Sequence, residues 1–155
     1  RQTVCSGFLP IRIFYLQGLT MKTKSVLEFA DVKAIAAAAE AEALKNNWAV
    51  SIAIVDDGGH LLSFQRLDGA APISAHIAPA KAHTAAMGRR ESKVYEDMIN
   101  GGRVSFLSAP NLEGMLEGGV PILKDGQCLG AVGVSGVKSN EDAQIAKAGI
   151  AAIGL

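Results

Sequence analysis

The side chains able to do chemistry in this sequence are few and scattered. Three histidines occur, His60, His76 and His83. His76 and His83 are seven residues apart, which on a helix gives one face but a separation of two turns, ~10 Å. They cannot chelate one ion as an i,i+4 pair would. A single imidazole suffices as an axial ligand for haem iron, whereas zinc takes three or four protein ligands, so the pattern accommodates haem more easily. His83 reads equally as a cofactor-facing residue or a half-buried helix position. His60 follows the acidic turn Asp56-Asp57-Gly58-Gly59 and is placed to bond either carboxylate; a plain strand-edge histidine is the alternative. No GxSxG serine or paired cysteine completes a nucleophilic site. Whether a reaction is catalysed stays open.

Around these lie charges and glycines. Lys81, Arg89 and Arg90 form a basic group near the end of one helical stretch, suited either to the helix dipole in solvent or to the carboxylates of a ligand. Gly130-Ala-Val-Gly133-Val-Ser135-Gly136 invites comparison with phosphate loops but lacks the Gly-Lys-Ser/Thr ending. Its first two glycines fall in a strand pattern, where close helix approach is their usual meaning. Ser135 and Gly136 precede a helix start and could receive a small anionic group. Cys128, in a strand, reads as core, and with Cys5 it forms no CxxC spacing.

Periodicity supplies the elements that must position these residues. Apolar positions 32, 35, 36, 39 and 43 define a helix over Val32–Leu44, ended by Asn46-Asn47. Ala49–Val55, the Asp56–Gly59 turn and the alternating His60–Arg66 make a hairpin. Ser74–Gly88 is helical, with Pro79 expected to delay its regular part. Glu91–Ile99 is a further helix, and residues 103–118 are irregular. Val120–Leu123 and Cys128–Val134 flank Lys124-Asp125-Gly126-Gln127 as a second hairpin. A closing helix is expected behind a capping box of Ser139 and Asp142. Hairpins imply an antiparallel sheet with helices packed on it, not a parallel dinucleotide-binding fold.

With 155 residues, one domain over residues 21–155 is expected. Residues 1–20, whose stretch Phe8–Leu19 is apolar, read as an added or upstream-derived arm ahead of Met21; an interaction arm is the alternative. Lysine plus arginine and aspartate plus glutamate are both 15, so no field favours nucleic acid or an anionic membrane. No window is long and apolar enough to span a bilayer, and a reducing cytoplasm is the expected setting.

Three segments in order, Val50-Ser-Ile-Ala-Ile-Val-Asp-Asp-Gly-Gly-His60-Leu-Leu, Ala78-Pro-Ala-Lys81-Ala-His-Thr84-Ala-Ala, and Gly118-Gly-Val-Pro-Ile through Gly130–Gly136, resemble the GlcG/HbpS family. The resemblance covers almost all of residues 21–155. It implies an α+β, profilin-like fold, with α/β/α layers around a central antiparallel sheet, and self-association into dimers or rings. It also implies a haem- or tetrapyrrole-binding accessory protein of glycolate, glycerol or diol metabolism, since members include haem-binding sensors and a related domain closes some cobalamin adenosyltransferases. Haem degradation is attached to the family name as well. On that reading His83 is the metal ligand, with Thr84 close to the iron and Lys81 or Arg89 near propionates; His60, Ser135 and Gly136 complete the expected site. A metabolite-binding protein or enzyme of the same pathways, and a structural partner of a cobalamin-dependent enzyme, are the alternatives.

Overall fold

The computed structural model describes residues 20–155; most of the arm expected at 1–20 lies outside the described residues. Helix α1 (Phe29–Lys45) opens the domain, followed by the hairpin β1 (Ser51–Asp56) and β2 (Leu61–Arg66). Next come α2 (Ser74–Gly88), α3 (Lys93–Asn100) and a 3-10 turn at Val104–Ser108. The hairpin β3 (Gly119–Lys124) and β4 (Gln127–Ser135) and the closing helix α4 (Ser139–Ala151) complete it. The four strands form one antiparallel sheet in the order β2-β1-β4-β3. Both turns work as expected: Asp125 and Gly126 take φ of 49° and 75°, the doubly left-handed geometry of a tight hairpin.

Each sheet face gets a different cover. Helices α1 and α4 pack together on one side, where Ile35, Ile52, Ile54, Val132 and Ile145 are fully buried. On the other side α2 lies alone against β1, β4 and β3 through Ala78, Ala82, Ala85 and Ala86. Only small side chains permit that approach: a Cβ on Gly133 would fall 2.1 Å from the Ala78 carbonyl oxygen. The result is an α+β fold with the α/β/α layering expected, and Gly130 and Gly133 serve packing.

Two local expectations are corrected. Helix α2 does not wait for Pro79 but starts at Ser74, with Pro79 inside it. Its first turn is fastened by the Ser51–Ser74 hydroxyl bond of 2.8 Å, and the turns that follow by burial of Ala78 and Lys81, which offset one missing amide bond. The capping box of Ser139 and Asp142 does not form. Glu141 instead accepts the Lys138 N–H at 3.1 Å, and Asp142 turns inward.

Candidate functional site

Helix α2 runs along the sheet so that its last turns reach the β1–β2 turn. There His83 is half-buried, and its Nδ1 lies 3.2 Å from the Gly59 carbonyl oxygen. A carbonyl only accepts, so Nδ1 carries the proton and Nε2 keeps its lone pair. This is the arrangement found behind histidines that ligate metals, in which the second nitrogen donates to a fixed acceptor. Gly59 makes room for it: φ is +79°, and a Cβ there would sit 2.3 Å from Nδ1. His83 lines an open cleft of about 250 Å³ with Ala80, Asn111 and Glu113.

His60 reaches the same turn from the other side. Alternation along β1 points Ala53 and Val55 toward α2, and Ile52, Ile54 and Asp56 toward α1 and α4. The His60 Nδ1 is 3.1 Å from Asp56 Oδ1, so its ring follows Asp56, away from His83. Burial works against the Asp56 carboxylate, yet the backbone N–H groups of His60 and Gly58, with the His60 ring, hold its pKa below the ordinary value.

The structure places four of the expected site residues away from His83's open cleft. Lys81 is buried and its ammonium is engaged inside the protein, 3.0 Å from both Asp142 Oδ2 and the Val134 carbonyl oxygen. It is not free to meet a propionate. Thr84 is fully buried with its hydroxyl accepting the Gly114 N–H at 3.2 Å, so it faces the 103–118 segment and not an open site. Ser135 pairs with Ser51 at one end of β1, near the start of α2 that carries His76, while His60 and His83 lie around the turn after Asp56 at the other end. Five residues of strand separate the two ends by ~17 Å. Gly136 follows Ser135 and packs on the Ala49–Val50 backbone.

Arg89 caps α2 in the left-handed conformation, φ 53°, and is exposed. It lines a second cleft, about 310 Å³, whose other walls include Lys22, Lys24, Asp57, Gln127 and Cys128. Burial pushes the Cys128 thiol up, opposed in part by a backbone hydrogen bond with Gly130 and by the charge of Arg89, which suits a packing role. Asn111 and Glu113 belong to the irregular segment, where no periodicity marks them in the sequence. Asp142 reads in the sequence as the acidic half of a capping box, which gives no sign of its pairing with Lys81. Among the described residues no group of three or more His, Cys, Asp or Glu side chains could hold a metal ion. No helix among them is long and apolar enough to cross a membrane.

A family model described as haem degrading protein HbpS-like matches residues 27–151. The chain belongs to the HbpS-like family. Within it, protein GlcG of Escherichia coli (strain K12) is 59% identical over 115 residues, 74% of this chain and 85% of GlcG. A crystal structure of HbpS superposes with a TM-score of 0.77 at 30% identity, covering 86% of this chain and 93% of that one. A crystal structure of a PduOC:heme complex gives 0.75 at 30% identity, covering 83% and 95%. This HbpS-like chain therefore shares the fold of a relative that was crystallised with haem, and it is related to PduO proteins.

Proposed function

We propose that this HbpS-like protein binds haem or a related tetrapyrrole through His83 and serves as an accessory protein of glycolate, glycerol or diol metabolism in the cytoplasm. One observation carries the reading: the His83 ring is half-buried, its Nδ1 is committed to the Gly59 carbonyl, and its Nε2 is left for iron. The haem-bound PduOC relative and the family's description support it. The residues fit the group in donor type. Nε2 is the sole nitrogen ligand required, the outer side of α2 offers Ala80 and Met87 to a flat apolar ring, and exposed Arg89 suits a propionate. Bound haem would supply an iron centre; the protein's part is to hold and orient it. Self-association, which would wall the open cleft, belongs to the same proposal.

A second reading draws on the size of the cleft. About 250 Å³ lined by His83, Asn111 and Glu113 is below the ~300–1,000 Å³ typical of enclosed ligand pockets and suits a small metabolite of the same pathways. A titration of the full chain with haemin, followed at the Soret band, separates the two. Saturable, stoichiometric binding that His83→Ala abolishes, and that His60→Ala and His76→Ala leave intact, is the expected result. No saturable binding, or binding indifferent to His83→Ala, overturns the haem assignment and leaves the metabolite reading.

A further inference from the structure

The chain's sole tryptophan, Trp48, stands outside the site around His83. Helix α1 ends at Lys45, Asn47 takes the left-handed conformation at φ 58°, and the Trp48 N–H donates back to the Ala43 carbonyl at 2.9 Å. That bond fixes the Trp48 backbone at the approach to β1. The half-buried indole packs against the core between the sheet and helices α1 and α4, and it also lines an open cleft of about 420 Å³. The cleft lies between the end of α1, the approach to β1 and the residues after β2, where the Leu67 N–H donates to the Val50 carbonyl at 2.9 Å. Two of its walls are thus held by backbone bonds. It sits at the Ser51 end of β1, one strand length, ~17 Å, from the turn that positions His60 and His83.

The charged groups of this cleft have one sign. Glu40 comes from α1 and Asp68 from the loop after β2, while Leu44, Ala49 and Leu67 supply apolar wall. Among the described residues no lysine or arginine lines the cleft, and neither carboxylate enters an ion pair. Glu42, on the same helix, is by contrast engaged by Gln144 and Asn46. The whole chain balances 15 basic against 15 acidic residues, so the excess is local. A cation placed there is attracted by the carboxylates and by the indole, the strongest aromatic partner for a cation and effective to ~6 Å from its ring. A sphere of the cleft's volume has a radius of ~5 Å, so a single ion at its centre is within reach of both kinds of wall. The apolar wall selects among cations. A primary ammonium would leave N–H donors against Leu44, Ala49 and Leu67, whereas the methyl groups of a quaternary one need no acceptor.

We infer that this cleft is a binding site for a small quaternary ammonium ion of the choline class, with Trp48 supplying the aromatic wall and Glu40 and Asp68 the countercharge. It is separate from the His83 cleft and does not rest on the haem reading.

Because Trp48 is the single tryptophan, its selectively excited fluorescence reports on this cleft alone. The full chain is titrated at constant ionic strength with choline, with its neutral tert-butyl isostere dimethylbutanol, and with butylammonium. The expected result is a saturable change at millimolar choline, none with the isostere over the same range, and weaker binding of butylammonium. Glu40→Gln and Asp68→Asn are each expected to raise the choline half-saturation about threefold, the scale of one exposed ion pair, and Asp97→Asn on α3 to leave it unchanged. Circular dichroism establishes that the variants are folded. No saturable response to choline, an equal response to the isostere, or a half-saturation that Glu40→Gln and Asp68→Asn move no further than Asp97→Asn overturns the site. Butylammonium binding as tightly as choline overturns the quaternary assignment.

Discussion

At the scale of single residues, the candidate ligand depends on a glycine more than on any polar neighbour. Gly59 holds φ at +79°, and the His83 ring occupies the space its side chain would fill. Gly59→Ala therefore has two effects of different kinds. The backbone strain costs about 1 kcal/mol of stability. The new methyl, 2.3 Å from Nδ1, must expel the imidazole from its bond to the Gly59 carbonyl. A folded Gly59→Ala protein with its urea midpoint only slightly lowered, but with haemin affinity reduced at least tenfold, is the expected outcome. Unchanged affinity would mean that the fixed ring orientation is irrelevant to binding.

Among the elements, the tightest tolerance is between α2 and β4. A methyl on Gly133 would lie 2.1 Å from the Ala78 carbonyl oxygen and 2.4 Å from the Ala82 nitrogen, both backbone atoms of a helix that cannot move singly. Gly133→Ala must lift α2 from the sheet and loosen Ala53, Val55 and Ala131 beneath it. A loss of about 3 kcal/mol in urea unfolding is expected. Gly102→Ala is the comparison: φ there is +102° with nothing within 4 Å, so only the ~1 kcal/mol of backbone strain applies. Equal losses for the two variants would refute the crowding account. The same contacts explain what the sequence made legible. Alternation, Asp-Gly turns and alanine-rich helical spacing follow local rules, so both hairpins, their antiparallel pairing and the meaning of Gly133 could be read directly. The inside of α2 could not. His83, Lys81 and Thr84 stand within four positions of each other, yet one flanks a cleft and two are buried, a difference set by the phase of the helix on the sheet and by the irregular 103–118 segment. Ser135 and Gly136 looked close to the histidines only because both groups lie near turns; pairing with Ser51 carries Ser135 to the far end.

For the molecule as a whole, a buried ion pair links its outer layers. Lys81 leaves α2, passes the start of β3 beside Gly118 and meets Asp142 in the first turn of α4, on the other side of the sheet. There it also bonds the Val134 carbonyl, while Asp142 accepts the Val137 N–H at 3.2 Å. Burial pushes the Asp142 carboxyl above its ordinary value near 3.8, and the Lys81 ammonium and the Val137 N–H pull it back only in part. Such a pair stabilises little against a well-packed apolar replacement, but removing one member strands the other. Lys81→Met and Asp142→Leu are each expected to cost about 3–5 kcal/mol, and the double variant much less than their sum. The pH dependence follows from the sign of the shift. A carboxyl whose folded pKa is raised binds protons more readily in the folded state, so stability is lost as pH rises from about 3.8 through the folded value and regained on acidification. Lys81→Met removes the principal charge opposing the shift and widens that window upward. Its urea midpoint should therefore rise as the pH is lowered from neutral toward the ordinary carboxylate value, by more than the parent's does. Additive single losses, or a Lys81→Met midpoint that falls over that range, would show that the two helical layers are held together by the sheet alone.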